Sequence, residues 1–152
     1  MQKVKDFLTR DLTSVAENAP LVEVAEVLSL RSLSGIPVVN DKNELVGFIS
    51  EKDIISSIFP ERVKIENTDV IGFSNLSQVV KKLGRVGQAM VKDYMSKTIY
   101  SAKEEDTASD VAELMMHKDL TRVPVVRNKR LVGIIDRASL SRILLEEGID
   151  NQ

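Results

Sequence analysis

The sequence has no cysteine and no tryptophan, and its single histidine is His117. Without cysteine there are no disulfides, no thiolate metal ligands and no thiol nucleophile. Aromatic residues make up only 4% of the chain, leaving few platforms for stacked single-stranded bases. A lone histidine offers one imidazole at most to a serine. No spacing of histidine with carboxylates suggests a metal site. A Walker-type glycine loop that could hold a transferable phosphate is also missing. No apolar run approaches the roughly 18 residues of a membrane span. The leading residues, MQKVKDFLTRDL, lack the apolar stretch and small-residue cleavage site of a signal peptide. The net charge of -2 gives no general attraction to nucleic acid or anionic lipid. These absences lead us to expect a soluble, cytoplasmic, non-catalytic protein with no metal and no required cofactor, with neither membrane nor nucleic acid as its partner.

What is present is a duplication. Val4-Lys5-Asp6-Phe7-Leu8-Thr9 recurs 87 positions later as Val91-Lys92-Asp93-Tyr94-Met95-Ser96. At the same offset Val24-Ala25-Glu26 returns as Val111-Ala112-Glu113, and Pro37-Val38-Val39 as Pro124-Val125-Val126. One residue is lost in the turn, after which Leu45-Val46-Gly47 matches Leu131-Val132-Gly133. A register held that long marks an internal repeat. With 152 residues, 43% of them hydrophobic, the chain can bury one good core but lies near the lower limit for two independent ones.

Both copies carry the same pattern. A short segment (13–16; 98–102) precedes a helix whose apolar residues fall at i, i+3, i+4 and i+7. These are Leu21, Val24, Ala25 and Leu28 in the first copy and Ala108, Val111, Ala112 and Met115 in the second. The spacing predicts helices over 21–31 and 108–118. Pro20 suits a first helical turn, and Thr107 with Asp110 a capping pair. Two apolar runs follow in each copy, 36–39 with 45–49 and 123–126 with 131–135, β-branched and short enough for buried strands. Polar turns at 40–44 and 127–130 would close them into hairpins. A last helix begins near Ser50 or Asp136, and Gly148 is placed to end the second. Three strands and two helices leave one sheet face bare, a need that a second copy can meet. The sequence thus divides into a first repeat (4–55), a linker (56–90) and a second repeat (91–145). In the linker a short helix over 75–83 is expected, capped by Ser74 or Asn75 and stopped by Gly84, with Phe59, Phe73 and Leu76 as packing anchors.

Just after the second hairpin strand stands Gly47-Phe48-Ile49-Ser50-Glu51-Lys52-Asp53. A serine where a strand hands over to a helix offers its hydroxyl and free backbone N–H groups to an anionic phosphate. One turn on, the Asp53 carboxylate can accept hydrogen bonds from both hydroxyls of a ribose. The same Ser-x-x-Asp spacing also makes an ordinary helix cap, and the two roles are compatible. In the second copy Gly133-Ile134-Ile135-Asp136-Arg137-Ala138-Ser139 puts Asp136 at the serine position and Ser139 at the aspartate position. A carboxylate there repels phosphate, and a serine is too short to grip a diol, so one good site and one impaired site are expected.

The duplicated order, the Pro-Val-Val strand and the Gly47–Asp53 motif together resemble a tandem CBS (cystathionine-β-synthase-type) domain pair. Coverage is nearly complete, leaving only the linker unmatched. The resemblance implies an α/β fold bordering on α+β, with two β-α-β-β-α repeats related by a pseudo-twofold axis. It implies a stand-alone regulatory sensor, one of energy state among the possibilities, whose ligand is AMP, ADP, ATP, S-adenosylmethionine or another adenosyl compound. Carried over by position, the site owning Asp53 would use Ser34, Gly35, Phe48 and Ser50. From the other repeat it would draw Thr98, Ile99, Tyr100, Leu120, Thr121 and Arg122, the apolar members sandwiching adenine. Lys52 and Arg31 are further candidates for phosphate, while Asp136 and Ser139 mark the degenerate second site. His117 ends a helical pattern, where the macrodipole favours it without any role in the site. The resemblance further implies a homodimer, built as a four-repeat disc, and a separate regulated protein. The rival reading is a structural dimerisation module with no physiological ligand.

Overall fold

The structure, a computed structural model, describes residues 1–59 and 76–150. Its elements run α1 (Val4–Phe7), β1 (Val15–Ala16), α2 (Leu21–Arg31), β2 (Gly35–Val39), β3 (Leu45–Ser50), α3 (Glu51–Ile58) and α4 (Leu76–Gln88). A 3-10 turn (Val91–Asp93) leads to β4 (Ala102–Lys103), α5 (Ala108–Lys118), β5 (Arg122–Arg127), β6 (Arg130–Asp136) and α6 (Arg137–Asp150). The fold is α/β, with two three-stranded sheets in the orders β1-β2-β3 and β4-β5-β6. In the second sheet β4 lies parallel to β5 and β5 antiparallel to β6, with a bulge between Val125 and Val126. Helices α2 and α5 occupy the ranges that the apolar spacing predicts, and both hairpins form where the β-branched runs lie. Thr107 and Asp110 make the expected reciprocal cap: the Asp110 amide donates to Thr107 Oγ1 at 3.2 Å, and the Thr107 amide to Asp110 Oδ2 at 2.9 Å. Pro20 stands one place earlier than predicted, as the N-cap of α2.

Contacts gather the chain into two compact units. One, here the Asp53 unit, comprises Ser14–Val38 and Val46–Thr98; the other, the Asp136 unit, comprises Met1–Thr13, Val39–Leu45 and Ile99–Gln152. The core of the Asp53 unit is built from Val15, Leu21, Val24, Leu28, Ile36, Val38, Ile49, Val86 and Val91. That of the Asp136 unit holds Val4, Ala108, Val111, Met115, Val123, Val125, Ile135, Leu140 and Ile143. Each buried valine, leucine, isoleucine or methionine among them contributes roughly 1.5–3 kcal/mol by leaving water.

The membership of these cores shows an exchange. Val4 opens the first repeat in sequence, yet it is fully buried in the core of the Asp136 unit, while Val91 opens the second repeat and is buried in the Asp53 unit. The backbone follows the same rule. Thr9 bridges to Ile134, its amide donating at 3.0 Å and its carbonyl accepting at 2.9 Å; Ser96 bridges to Phe48 at 2.8 and 3.0 Å. The glycine preceding each of those strand residues makes the approach possible. A Cβ on Gly133 would fall 2.5 Å from Leu8 Cδ1 and 2.7 Å from the Thr9 carbonyl oxygen. On Gly47 it would collide with the Met95 side chain and lie 3.0 Å from the Ser96 carbonyl oxygen. Glycine inside a strand often marks such a close approach of backbone.

The leading segment is also tied by charge. Lys3 and Lys5 reach Glu105 at 2.8 and 3.0 Å, and Glu104 receives both Nε and Nη2 of Arg127. The hydrogen bond from Lys3 is the main reason that the Glu105 carboxyl is held below its ordinary 4.5; Arg127 lowers Glu104 in the same way. A carboxyl depressed in the folded state contributes stability that is complete above 4.5 and is lost as pH falls through the lowered value. Lys3, Lys5 and Glu105 are exposed, so salt screens their pairs, while Glu104 is half-buried. The melting temperature should therefore hold from neutrality down to about the ordinary carboxylate value and fall below it. Glu105→Gln should make that acid fall shallower, most visibly at low salt. An unchanged acid limb in the variant would show that the clamp contributes nothing.

Two helices outrun their predicted ends. α4 passes through Gly84 and Gly87 to Gln88, and α6 passes through Gly148 to Asp150. No glycine takes a positive φ among the described residues, so none serves as a left-handed stop. Mid-helix glycine costs only about 0.5–1 kcal/mol, less than burying a side chain such as Val86 returns. Phe59, expected to anchor the linker, stays 44% exposed. Ser74, Asn75, Phe73 and the Leu76 side chain lie outside the described residues.

Candidate functional site

In the Asp53 unit the predicted residues gather at the start of α3. Ser50 ends β3 in an extended conformation, and its Oγ accepts from the Asp53 amide at 3.2 Å while its own amide donates to Asp53 Oδ2 at 2.9 Å. The Glu51 amide, another N–H that the helix cannot use, donates to the carbonyl of Ser34 at 2.8 Å. This fixes the loop before β2 against the helix. Gly35 is buried beside the Phe48 ring, where a Cβ would fall 2.5 Å from Phe48 Cε1 and 3.0 Å from the Ile49 carbonyl oxygen. Phe48 is in turn pinned by its two backbone bonds to Ser96, whose hydroxyl donates to the Thr98 carbonyl at 3.3 Å. Ser34, Gly35, Phe48, Ser50, Asp53 and Thr98 thus form one connected set. Lys52 is exposed on the first turn of α3, and Arg31 is exposed at the end of α2.

The chemistry of the set lies in Asp53. Its Oδ2 is taken by the Ser50 amide, and among the described residues nothing donates to Oδ1. The side chain is half-buried, so the open oxygen is fixed in direction and partly desolvated. A carboxylate in that state can accept charge-assisted hydrogen bonds from a vicinal diol.

The Asp136 unit repeats the frame with different chemistry. The Arg137 amide donates to the Thr121 carbonyl at 2.8 Å, as Glu51 does to Ser34. Here, however, both carboxylate oxygens of Asp136 are occupied by one residue: the Ser139 amide donates to Oδ1 at 2.7 Å and the Ser139 hydroxyl to Oδ2 at 3.0 Å. Arg122, the cross-strand partner of Asp136, is half-buried, and its enclosed Nε makes no hydrogen bond among the described residues. Ile99, Tyr100 and Leu120 are half-buried in the same unit and Thr121 is exposed. The Lys118 ammonium stands 5.2 Å from the centroid of the Tyr100 ring. His117 lies exposed in the last turn of α5, as the macrodipole reading requires.

The sequence reading missed the two residues that aim these loops. α2 ends on Ser32 (φ 53°) and α5 on Asp119 (φ 51°), both left-handed. The Leu33 amide then returns to Leu28 at 2.9 Å and the Leu120 amide to Met115 at 3.0 Å. Neither cap is a glycine, so the usual composition signal is lacking. The shared offset of 87 positions is the trace that could have revealed them.

The paired frame agrees with comparison to known proteins. The model of the CBS domain matches residues 4–60 and 91–146. The chain belongs to the CBS domain family. Protein MJ1225 of Methanocaldococcus jannaschii is 27% identical over 143 residues, which is 94% of this chain and 43% of that protein. The chain therefore spans less than half of that relative. Among solved CBS structures, CBSX2 in complex with AMP is similar with a TM-score of 0.73 at 22% identity, covering 97% of this chain and 99% of the other. The CBS domain pair of protein MJ0100, in complex with 5'-methylthioadenosine and S-adenosyl-L-methionine, gives 0.66 at 22% identity over 97% and 98%. At such identities the likeness establishes the CBS-pair fold. CBS pairs are in general regulatory modules without a catalytic domain of their own. Among the described residues no helix is long and apolar enough to cross a membrane, and no group of three or more acidic or histidine side chains could hold a metal.

Proposed function

We propose that the protein is a non-catalytic CBS sensor that binds an adenine nucleotide or related adenosyl compound through the Asp53 site. The observation that carries this reading is the half-buried Asp53 carboxylate, one oxygen locked by the Ser50 amide and the other without a donor among the described residues. Asp53 holds the ribose diol in this reading. Ser50 and the first turn of α3 face the phosphate, with Lys52 and Arg31 as its cations. Phe48 supplies an apolar contact to adenine. The two structures cited above, one with AMP and the other with methylthioadenosine and S-adenosylmethionine, support the ligand class without choosing within it. The site built on Asp136 and Ser139 is the weaker one, because its carboxylate is already satisfied and stands where phosphate would approach. Thermal melts with AMP, adenosine and S-adenosylmethionine test the reading: binding to the native state raises the midpoint with ligand concentration. No rise with any of them would leave only the structural reading.

A homodimer accompanies either reading. Leu30 is 85% exposed on α2, Ile55 58% on α3, Met116 74% on α5, and Leu145 and Ile149 73% and 69% on α6. Large aliphatic residues exposed this widely on four helices are the usual mark of a partner surface. Light scattering at tens of micromolar (about the range where a standard-sized interface saturates) should give a dimer. Leu30→Glu combined with Leu145→Glu should give monomers with unchanged helical content. A strictly monomeric wild-type protein would contradict this assembly.

A further inference from the structure

Resting on that reading, we infer that Met95 is an oxidation site, and that an oxygen on its sulfur weakens ligand binding at the Asp53 site. All the residues concerned lie in the Asp53 unit. A Cβ on Gly47 would collide with Met95 Sδ, so the sulfur fills the place that a side chain there would take. Met95 is packed against the core of the unit but is only half-buried, which leaves it open to a small oxidant. The next residue belongs to the site. Ser96 holds Phe48 by two backbone hydrogen bonds at 2.8 and 3.0 Å, and the Phe48 ring stands where a Cβ on Gly35 would fall. Gly35 follows Ser34, whose carbonyl takes the Glu51 amide at the start of α3.

The duplication shows what is particular to Met95. In the Asp136 unit the same frame sets Leu8 against Gly133 and bridges Thr9 to Ile134. Leucine keeps the packing and cannot take an oxygen, so the oxidisable side chain stands in the copy that carries Asp53. Peroxide transfers one oxygen to the sulfur lone pair: the O–O bond breaks, the S–O bond forms, the sulfur is oxidised by two electrons and water leaves. The thioether becomes larger and polar on a sulfur that meets filled space on the Gly47 side. To solvate the new oxygen Met95 must leave Gly47, and the bridge from Ser96 to Phe48 moves with it. A methionine sulfoxide reductase, with a dithiol as reductant, removes the oxygen as water and restores the contact.

The full chain and its Met95→Leu variant, treated with hydrogen peroxide and mapped by peptide mass spectrometry, test this. Both are titrated calorimetrically with AMP before treatment, after it, and after a methionine sulfoxide reductase. Met1, Met90 and Met116 are exposed in both proteins, so the difference between the two isolates Met95. In the wild type Met95 should gain one oxygen, AMP affinity should fall about tenfold, and the reductase should restore it. Met95→Leu should keep through peroxide whatever affinity it starts with. Hydrogen exchange reads the same event without a ligand: the Phe48 and Ser96 amides should lose protection in the oxidised wild type and keep it in the variant. The inference is wrong if Met95 stays reduced while Met1 and Met116 convert, if the oxidised protein keeps its AMP affinity, or if Met95→Leu loses as much. If the wild type binds no AMP at all, the adenosyl reading falls, and exchange at Phe48 and Ser96 alone decides whether oxidation of Met95 opens that bridge.

Discussion

Asp53→Ala is expected to weaken AMP binding by tenfold to a few hundredfold while the protein remains folded. The range follows from removing charge-assisted hydrogen bonds worth roughly 1.5–3 kcal/mol. The substitution also removes the acceptor of the Ser50 amide, so a stability loss of roughly 0.5–1 kcal/mol should accompany it. Asp53→Asn separates the two effects. Its amide oxygen can still accept from Ser50 and hold the cap, but the charge that grips a diol is gone. We expect Asn to restore stability and leave most of the binding lost. The control is Ser139→Ala, at the equivalent place in the other repeat. Ser139 donates to Asp136 twice, so its loss should lower stability and change AMP affinity little. If Asp53 were only a cap, Asp53→Ala would shift the melting temperature and leave the titration unchanged. Equal loss of binding from Asp53→Ala and Ser139→Ala would mean that both sites bind.

Gly133→Ala should destabilise the protein by about 1–3 kcal/mol, the usual penalty for forcing a methyl into filled space. The severity comes from what the methyl meets. Leu8 Cδ1 could turn away, but the Thr9 carbonyl oxygen at 2.7 Å is backbone held in two hydrogen bonds to Ile134. Relief therefore requires the leading segment to move, and with it Val4, which is fully buried. Hydrogen exchange should show the Thr9 and Ile134 amides losing protection before those of α5. Gly84→Ala is the contrast, since nothing lies within 4 Å of a Cβ there. It should stabilise by roughly 0.5–1 kcal/mol through helix propensity. A Gly133→Ala variant as stable as wild type would contradict the close packing of the exchanged segment.

The fold was legible where a residue's task is local. Leu21, Val24 and Leu28 face one way because a helix repeats every 3.6 residues, and their buried positions agree. The capping partners Thr107 and Asp110, and Ser50 and Asp53, are three residues apart and need only one turn to meet. The exchange of Val4 and Val91 was not legible, because the two copies of that segment share Val-Lys-Asp and differ only conservatively in the next three residues. Pattern alone cannot say which copy each one joins. Gly47 and Gly133 carried a trace of it, since a glycine in an otherwise β-branched strand implies a close neighbour without naming it. The asymmetry of the two motifs was visible as Ser50/Asp53 against Asp136/Ser139. That Ser139 consumes both oxygens of Asp136 depends on side-chain directions that spacing does not fix. The Lys118–Tyr100 pairing joins residues of different elements, and no periodicity points to it.

The central claim is that one adenosyl ligand is held by Asp53, and calorimetric titration of the unmutated protein tests it most directly. AMP should give a saturable heat with a stoichiometry near one per chain. Adenosine or S-adenosylmethionine should compete with it, and GMP should give no heat. The absence of heat with every adenosyl ligand, at protein concentrations where the dimer is formed, would contradict the account and leave a CBS pair whose role is structural.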